Sequence, residues 1–347
     1  MININQTNIA DVDINLAATL LIIGVFVMTL RKRSDEKKAD AAYLGLVIAT
    51  LVVCVCGLVL EFIEGPVNPG PVLLAMTIET ILDMSINLML LSWLLYAFFV
   101  MYDSIDYLKR RLALYMVPIA ILMVLEIVNL FNGMLWYYDE NVVYHDTVMY
   151  SICDVIRYAY LFISVFQYRN YKKENGRMQF FTIWPYLLSM LWGTLIELTT
   201  EISGFTLGAA IGVTMVFIMA SQKANYTDEE SGFYNLHYLN MLYDKVRQKE
   251  YDPRIVIRYH LPEGAEVTDF FSQLKDSFPD SCDTIKLDDL NYTTIIYGNT
   301  RGLINMLSED IETIASSLNL DIRFDYVIKE KKETALEFLE KNLAIGG

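Results

Sequence analysis

The sequence predicts a membrane all-α bundle of seven helices, N-terminus out and C-terminus in, followed by a small α+β cytoplasmic domain of ferredoxin-like type. Three observations predict it. Apolar residues make up 54% of the 347 and charged residues 20%, against about a quarter charged in an ordinary soluble domain. The apolar excess is confined to the first part of the chain. Residues 1–223 carry 14 Lys and Arg against 19 Asp and Glu, and residues 224–347 carry 13 against 23. Basic residues also alternate from loop to loop. The chain therefore divides into a membrane domain, 1–223, and an acidic water-soluble domain, 224–347. An acidic domain repels phosphate backbones, which excludes nucleic acid as its partner. Cys54, Cys56, Cys153 and Cys282 have no metal-ligand spacing and make no disulfide framework.

A span needs about 20 predominantly apolar residues to cross ~30 Å of hydrocarbon. Seven runs qualify, at roughly 14–30, 43–62, 72–101, 112–131, 147–168, 178–199 and 205–220. The first is not read as a signal peptide, because Asp11 and Asp13 precede it and Arg31, Lys32 and Arg33 follow it. The loops after spans one, three and five hold Arg31, Lys32, Arg33, Lys37 and Lys38, then Lys109, Arg110 and Arg111, then Arg169, Lys172, Lys173 and Arg177. The alternate loops and the N-terminal tail hold none. This is a strong positive-inside pattern and leaves the C-terminal domain in the cytoplasm. Span three is about 30 residues, ~45 Å of helix, so it tilts or projects beyond the lipid.

After Ser221 the periodicity changes. It predicts an amphipathic helix over 234–249, a strand over 254–260, a helix over 265–277, strands over 283–287 and 291–297, a turn at Gly298-Asn299, a helix over 302–318, a strand over 321–328 and a helix over 332–343. From 254 to 328 the order is β-α-β-β-α-β, the split-βαβ arrangement.

Residues 228–236 read Asp-Glu-Glu-Ser-Gly-Phe-Tyr-Asn-Leu. Asp228, Gly232 and Asn235 match the Asp-x-Leu-Thr-Gly-Leu-x-Asn-Arg opening of GGDEF (diguanylate cyclase) domains, and Ser231 and Phe233 are conservative changes. Residues 226–345 thus resemble a GGDEF-type domain placed directly after a membrane sensor, which implies a signalling protein of the bacterial inner membrane. The family's catalytic turn is absent. The hairpin position reads Asp288-Asp289-Leu290-Asn291, so acids stand where the family has glycines. The first strand ends Arg258-Tyr259-His260-Leu261-Pro262, without the metal-binding aspartate that the resemblance calls for. Two-metal phosphoryl transfer needs such carboxylates. The resemblance therefore implies a catalytically dead domain without catalytic residues, metal or tightly bound cofactor, acting through a cytoplasmic protein partner or by binding GTP or a cyclic dinucleotide. Asp288 and Asp289 read either as a solvated turn or as a residual nucleotide or metal contact. His237 and His260 have no second ligand nearby in sequence and read as surface or core residues.

Ionisable residues at membrane depth cost about 2.5–3.5 kcal/mol each on insertion scales, so each calls for a reason. Glu79 and Asp83 are four apart in span three. Glu126 lies in span four, Asp154 and Arg157 are three apart in span five, Glu197 and Glu201 end span six, and Glu61 and Glu64 end span two. They read either as groups hydrated at the lipid boundary or as an acidic pocket opening outward for a small extracellular ligand or a cation, with Arg157 as anchor for a ligand carboxylate. The loop Trp136 to His145 reads as its lid or as part of the interfacial aromatic belt. Gly204, Gly208 and Gly212 form a small-xxx-small stripe, used for packing inside the bundle or for a homodimer contact. The favoured function is a receptor-like sensor. The alternatives are a divergent active nucleotide cyclase using Asp288 and Asp289, and a transporter or channel with a regulatory tail, to which Pro118 and Pro185 interrupting spans four and six would contribute.

Overall fold

A computed structural model describes residues 6–31, 37–64, 71–102, 105–175, 180–200, 203–228, 231–248, 251–262, 267–274, 282–297, 303–330 and 332–343. Glu201, Lys32, Arg33, Arg177, Gly298 and Asn299 lie outside them. The chain divides into two compact units, one holding Met1–Tyr171 and Phe180–Ala220, the other Lys172–Gln179 and Ser221–Gly347.

In the first unit the helices are α1 (Gln6–Arg31), α2 (Lys37–Ile63), α3 (Val72–Tyr102), α4 (Ile105–Asn132), α5 (Val148–Asn175), α6 (Trp184–Thr200) and α7 (Gly204–Asn225). Six of these, all but α6, contain stretches long and apolar enough to cross a membrane. They mark a multi-pass membrane protein. Large apolar side chains such as Leu20, Phe131, Phe162 and Leu198 stand exposed on the unit. Water would penalise that surface and hydrocarbon does not. The helix α3, at 31 residues, is buried along most of its length, from Ala75 to Met101. Trp93 ties it to two neighbours: its indole stacks on Tyr186 of α6 at 4.0 Å, and Nε1 donates to Ser164 Oγ of α5 at 3.2 Å.

Pro118 lies inside α4, as expected. Pro185 does not interrupt α6. It is the second residue of that helix, where its missing N–H would have had no intrahelical partner.

The glycine stripe packs α7 onto α6 of the same chain. A Cβ at Gly208 would stand 2.5 Å from the Ser189 carbonyl oxygen and 3.0 Å from Gly193 Cα. One at Gly204 would collide with the Gly193 carbonyl, and one at Gly212 would stand 2.9 Å from the Tyr186 ring. Gly193, in the middle of α6, is the reciprocal partner that lets the two backbones approach.

In the second unit, β3 (Pro253–His260), β4 (Cys282–Lys286), β5 (Asn291–Tyr297) and β6 (Arg323–Ile328) form an antiparallel sheet in the order β4-β5-β3-β6. With α9 (Val267–Leu274) after β3 and α10 (Leu303–Ser317) after β5, the order is β-α-β-β-α-β. Ile255, Ile257 and Tyr259 pack on Phe270, Phe271, Leu307 and Ile311 of α9 and α10. Val256 and Ile295 alternate to the other face, where α8 (Leu236–Arg247) and α11 (Ala335–Leu343) bury Leu239, Leu242, Phe338 and Leu339.

Gly208→Leu is expected to lower the thermal midpoint of the detergent-solubilised protein by an overpacking cost of about 1–3 kcal/mol or more, because the neighbour it meets is backbone. Gly208→Ala should fall between the two, and an unchanged midpoint for Gly208→Leu contradicts the packing described.

Candidate functional site

The site begins on one face of α3. Glu79, Asp83 and Asn87 recur every four residues, so a helix stacks them in one row. All three are buried. α4 contributes Glu126 and α5 contributes Tyr150, Asp154 and Arg157. The remaining member comes from outside the helices. The connection between α4 and α5 folds into a hairpin of β1 (Trp136–Tyr138) and β2 (Tyr144–Asp146), and Trp136 is fully buried against the helices.

Arg157 is the hub. Nη2 lies 2.9 Å from Asp83 Oδ1 and 2.8 Å from Glu126 Oε1, Nη1 donates to Asp154 Oδ1 at 2.9 Å, and Nε donates to Asn87 Oδ1 at 3.1 Å. Its guanidinium also sits over the Tyr150 ring, 5.0 Å from the centroid. Tyr150 Oη donates to Asp83 Oδ1 at 3.1 Å. The other oxygens of the two carboxyl groups face the hairpin: Trp136 Nε1 donates to Asp83 Oδ2 at 2.9 Å and to Glu126 Oε2 at 3.2 Å. One indole N–H and one guanidinium thus hold both acids from opposite sides. A buried charge is tolerated only when it is paired and hydrogen-bonded in this way.

The hairpin is anchored at both ends. Asn129 Nδ2 donates to the Trp136 carbonyl at 2.9 Å, and Asn129 Oδ1 accepts from Leu135 N at 2.6 Å. Thr147 N donates back to the Leu135 carbonyl at 2.9 Å. At the tip, Asp139 Oδ1 accepts from Asn141 N and Val143 N, at 2.8 and 3.0 Å. Val142 has φ +56°, a conformation unfavourable for a β-branched residue, and its buried side chain holds it there. Tyr138 Oη bonds Glu64 and lies 3.4 Å from Glu79 Oε2, which draws those two acids under the same hairpin.

Of the residues expected in the pocket, Glu79, Asp83, Glu126, Trp136, Asp154 and Arg157 come together. Glu197 does not join them. Its Oε2 accepts from Phe205 N at 2.9 Å and so caps the N-terminus of α7, where Asp11 also accepts from Ser203 N at 2.8 Å. Glu61 belongs to that second cluster, bonded to Ser203 Oγ at 3.1 Å and to Asn15 Nδ2 at 3.4 Å. Asn87, Asn129 and Tyr150 were not anticipated. Asn87 had one signal, its place four residues beyond Asp83.

In the second unit, Asp288 and Asp289 fall in the β4–β5 turn. Asp288 Oδ1 accepts from Leu290 N at 2.9 Å and Asn291 N at 2.8 Å, and Asn291 Nδ2 reaches both of its carboxyl oxygens. This is an Asx turn that closes the hairpin. Burial alone would raise the Asp288 pKa. The hydrogen bonds from the Asn291 side chain and the two amides outweigh it and hold the group below the usual carboxylate range. Asp289 is exposed and pairs only loosely with Lys286 Nζ, at 3.3 Å. His260 Nδ1 lies 2.9 Å from Asn291 Oδ1. In the opening motif, Ser231 Oγ and N both donate to Asp228 Oδ1, at 2.7 and 2.9 Å, and Asn235 caps α8. Tyr234 then bonds the β4 edge, its N to Thr284 O at 3.0 Å and its O from Lys286 N at 2.8 Å. Asp283 is buried and accepts from Tyr238 Oη at 2.6 Å and Tyr297 Oη at 2.7 Å. Among the described residues, no group of three or more His, Cys, Asp or Glu has the geometry to hold a metal ion.

No protein-family model matches the chain, and no curated protein matches it in sequence.

Two outcomes are expected. Arg157→Met leaves Asp83 and Glu126 buried without their cation and should cost about 3–5 kcal/mol of stability. Adding Asp83→Asn and Glu126→Gln should recover much of it in thermal unfolding. The Asp288 contribution depends on pH. Because its folded pKa is depressed, its stabilisation is present above about pH 4 and lost as pH falls through the folded value. Asp288→Ala should therefore speed amide exchange at Leu290 and Asn291 near neutrality, and the difference from wild type should shrink in acid.

Proposed function

We propose that the chain is a receptor-like signalling protein of seven membrane spans, N-terminus outside, whose site beneath the α4–α5 hairpin senses a stimulus and whose cytoplasmic domain relays it. The observation that carries this reading is Trp136: a side chain from a loop closes a hydrogen-bonded charge cluster inside a helix bundle. A loop-borne plug on a paired charge network has two arrangements, closed and displaced, and a ligand that binds one better shifts the balance. The loop charges support the orientation, since the α4–α5 hairpin belongs to the set without Lys or Arg. The helix α6, with 17 described residues, is the span that brings the six to seven in this reading.

For the cytoplasmic domain we propose a degenerate GGDEF-type domain of the bacterial inner membrane that has lost catalysis. The strand order, the Asp228–Ser231 hydrogen bonds and the docking of Tyr234 on β4 support the resemblance. The use of Asp288 to close its own hairpin favours a structural over a catalytic role. Its output is contact with a cytoplasmic protein or binding of a nucleotide.

Incubating the purified protein with GTP or ATP and Mg²⁺ or Mn²⁺ is expected to yield no cyclic dinucleotide. Turnover abolished by Asp288→Asn would overturn this and establish a cyclase. Coupling is tested on the full chain by hydrogen exchange. The helix α7 continues to Asn225, beyond the apolar stretch. Trp136→Phe should change exchange across 226–235, and a ten-residue Gly-Ser insertion after Gln222 should abolish that change. An unaltered 226–235 in Trp136→Phe contradicts the sensor reading.

A further inference from the structure

The chemistry of the ligand follows from what the cluster holds and what it leaves unmet, an argument that rests on the sensor reading above. Asp83, Glu126 and Asp154 surround one guanidinium, so the cluster carries more formal negative than positive charge. The group that the hairpin lends to Asp83 and Glu126 is a neutral N–H, from Trp136. Two carboxyl oxygens, Asp83 Oδ2 and Glu126 Oε2, accept that single hydrogen. A neutral indole satisfies their hydrogen bonding and none of their charge. The second observation is independent. Asn87 is fully buried on the same helix face as Asp83, its Oδ1 is taken by Arg157 Nε, and among the described residues its Nδ2 has no hydrogen-bond acceptor. A buried amide donor left unmet costs about 1–3 kcal/mol, and an incoming acceptor would recover it.

We propose that the site binds a small primary ammonium compound carrying a hydrogen-bond acceptor two or three bonds from the nitrogen. The ammonium replaces the Trp136 N–H between Asp83 and Glu126, donating to both with charge assistance. The acceptor takes the Asn87 amide. Displacing the indole releases the hairpin, which links occupancy to the open arrangement. A carboxylate anion is disfavoured, because it would add to the negative charge already present.

Ethanolamine is a suitable probe, with acetate as the opposite-sign control, in isothermal titration of the full-length protein in nanodiscs. Ethanolamine should bind saturably and acetate should not. Asp83→Asn should weaken ethanolamine by at least about tenfold, because an ammonium–carboxylate bond becomes a neutral one. Trp136→Phe removes the competing N–H while keeping an aromatic plug, and should tighten ethanolamine by roughly threefold to tenfold, since the closed arrangement no longer competes as strongly. That gain also keeps the test decisive if Asp83→Asn does not fold, because a merely structural tryptophan would not yield it. No ethanolamine binding to either wild type or Trp136→Phe, or acetate binding equally well, overturns the proposal. If ethanolamine fails while Trp136→Phe still alters exchange across 226–235, the ligand class is wrong and the sensor reading stands. If both fail, both fall.

Discussion

A guanidinium cannot be left bare among apolar helices, and Arg157 meets that constraint by gathering acceptors from three of them. Asp83 and Asn87 come from α3, Glu126 from α4 and Asp154 from its own helix. Each acid is in turn tolerated because the arginine is there. Breaking such a set by removing one partner is far more costly than its net contribution to stability, since the remaining charge is stranded. The cluster therefore acts as a registry device: α3, α4 and α5 fit together in one rotational setting, the one that brings these side chains to a common point.

The hairpin between α4 and α5 is the part of this arrangement that is not committed by helix packing. Its strands are three residues each, too short to be stable alone. What fixes it is the Asn129 clamp, the Thr147 closure and the insertion of Trp136 between the two acids. An element held by a few specific polar bonds opens at lower free energy than helices held by broad apolar surfaces. The α6–α7 contact offers a complementary property. Backbones packed through Gly193, Gly204 and Gly208 meet a smooth surface without interlocking side chains, which favours small shifts along the contact.

Much of the architecture was legible in the sequence because it is written in period and composition. Each apolar run fell on one of the seven helices, although α1, α2, α4 and α5 extend about six to eight residues beyond their runs at one end, and the alternation of Ile255, Ile257 and Tyr259 located the central strand. The spacing of Asp154 and Arg157 announced their ion pair, and Glu79 with Asp83 announced an acidic helix face. The rest depended on contacts between distant segments. Asn87 carries no charge, so only its place in the row with Asp83 marked it. Gly193 stands alone in its helix and gains meaning only opposite Gly204 and Gly208. Glu197 looked like a pocket acid because it ends a span, yet the Phe205 amide at the start of α7 donates to it, while Asp11 takes the neighbouring Ser203 amide. The end of α7 was placed too early because hydropathy drops at Ser221 while the backbone remains helical to Asn225. Pro185 looked like a break because its position relative to the helix start was not apparent.

The central claim is that the hairpin and the charge cluster are joined through one indole N–H, and a double-mutant cycle measures that joint directly. Trp136→Phe, Glu126→Gln and the double variant would be compared with the wild-type full-length protein by reversible unfolding in detergent. The account predicts that the two effects are not additive, with a coupling of about 1–2 kcal/mol, as for side chains sharing one hydrogen-bonded network. Additivity within about 0.3–0.5 kcal/mol, the behaviour of sites that do not touch, would contradict it.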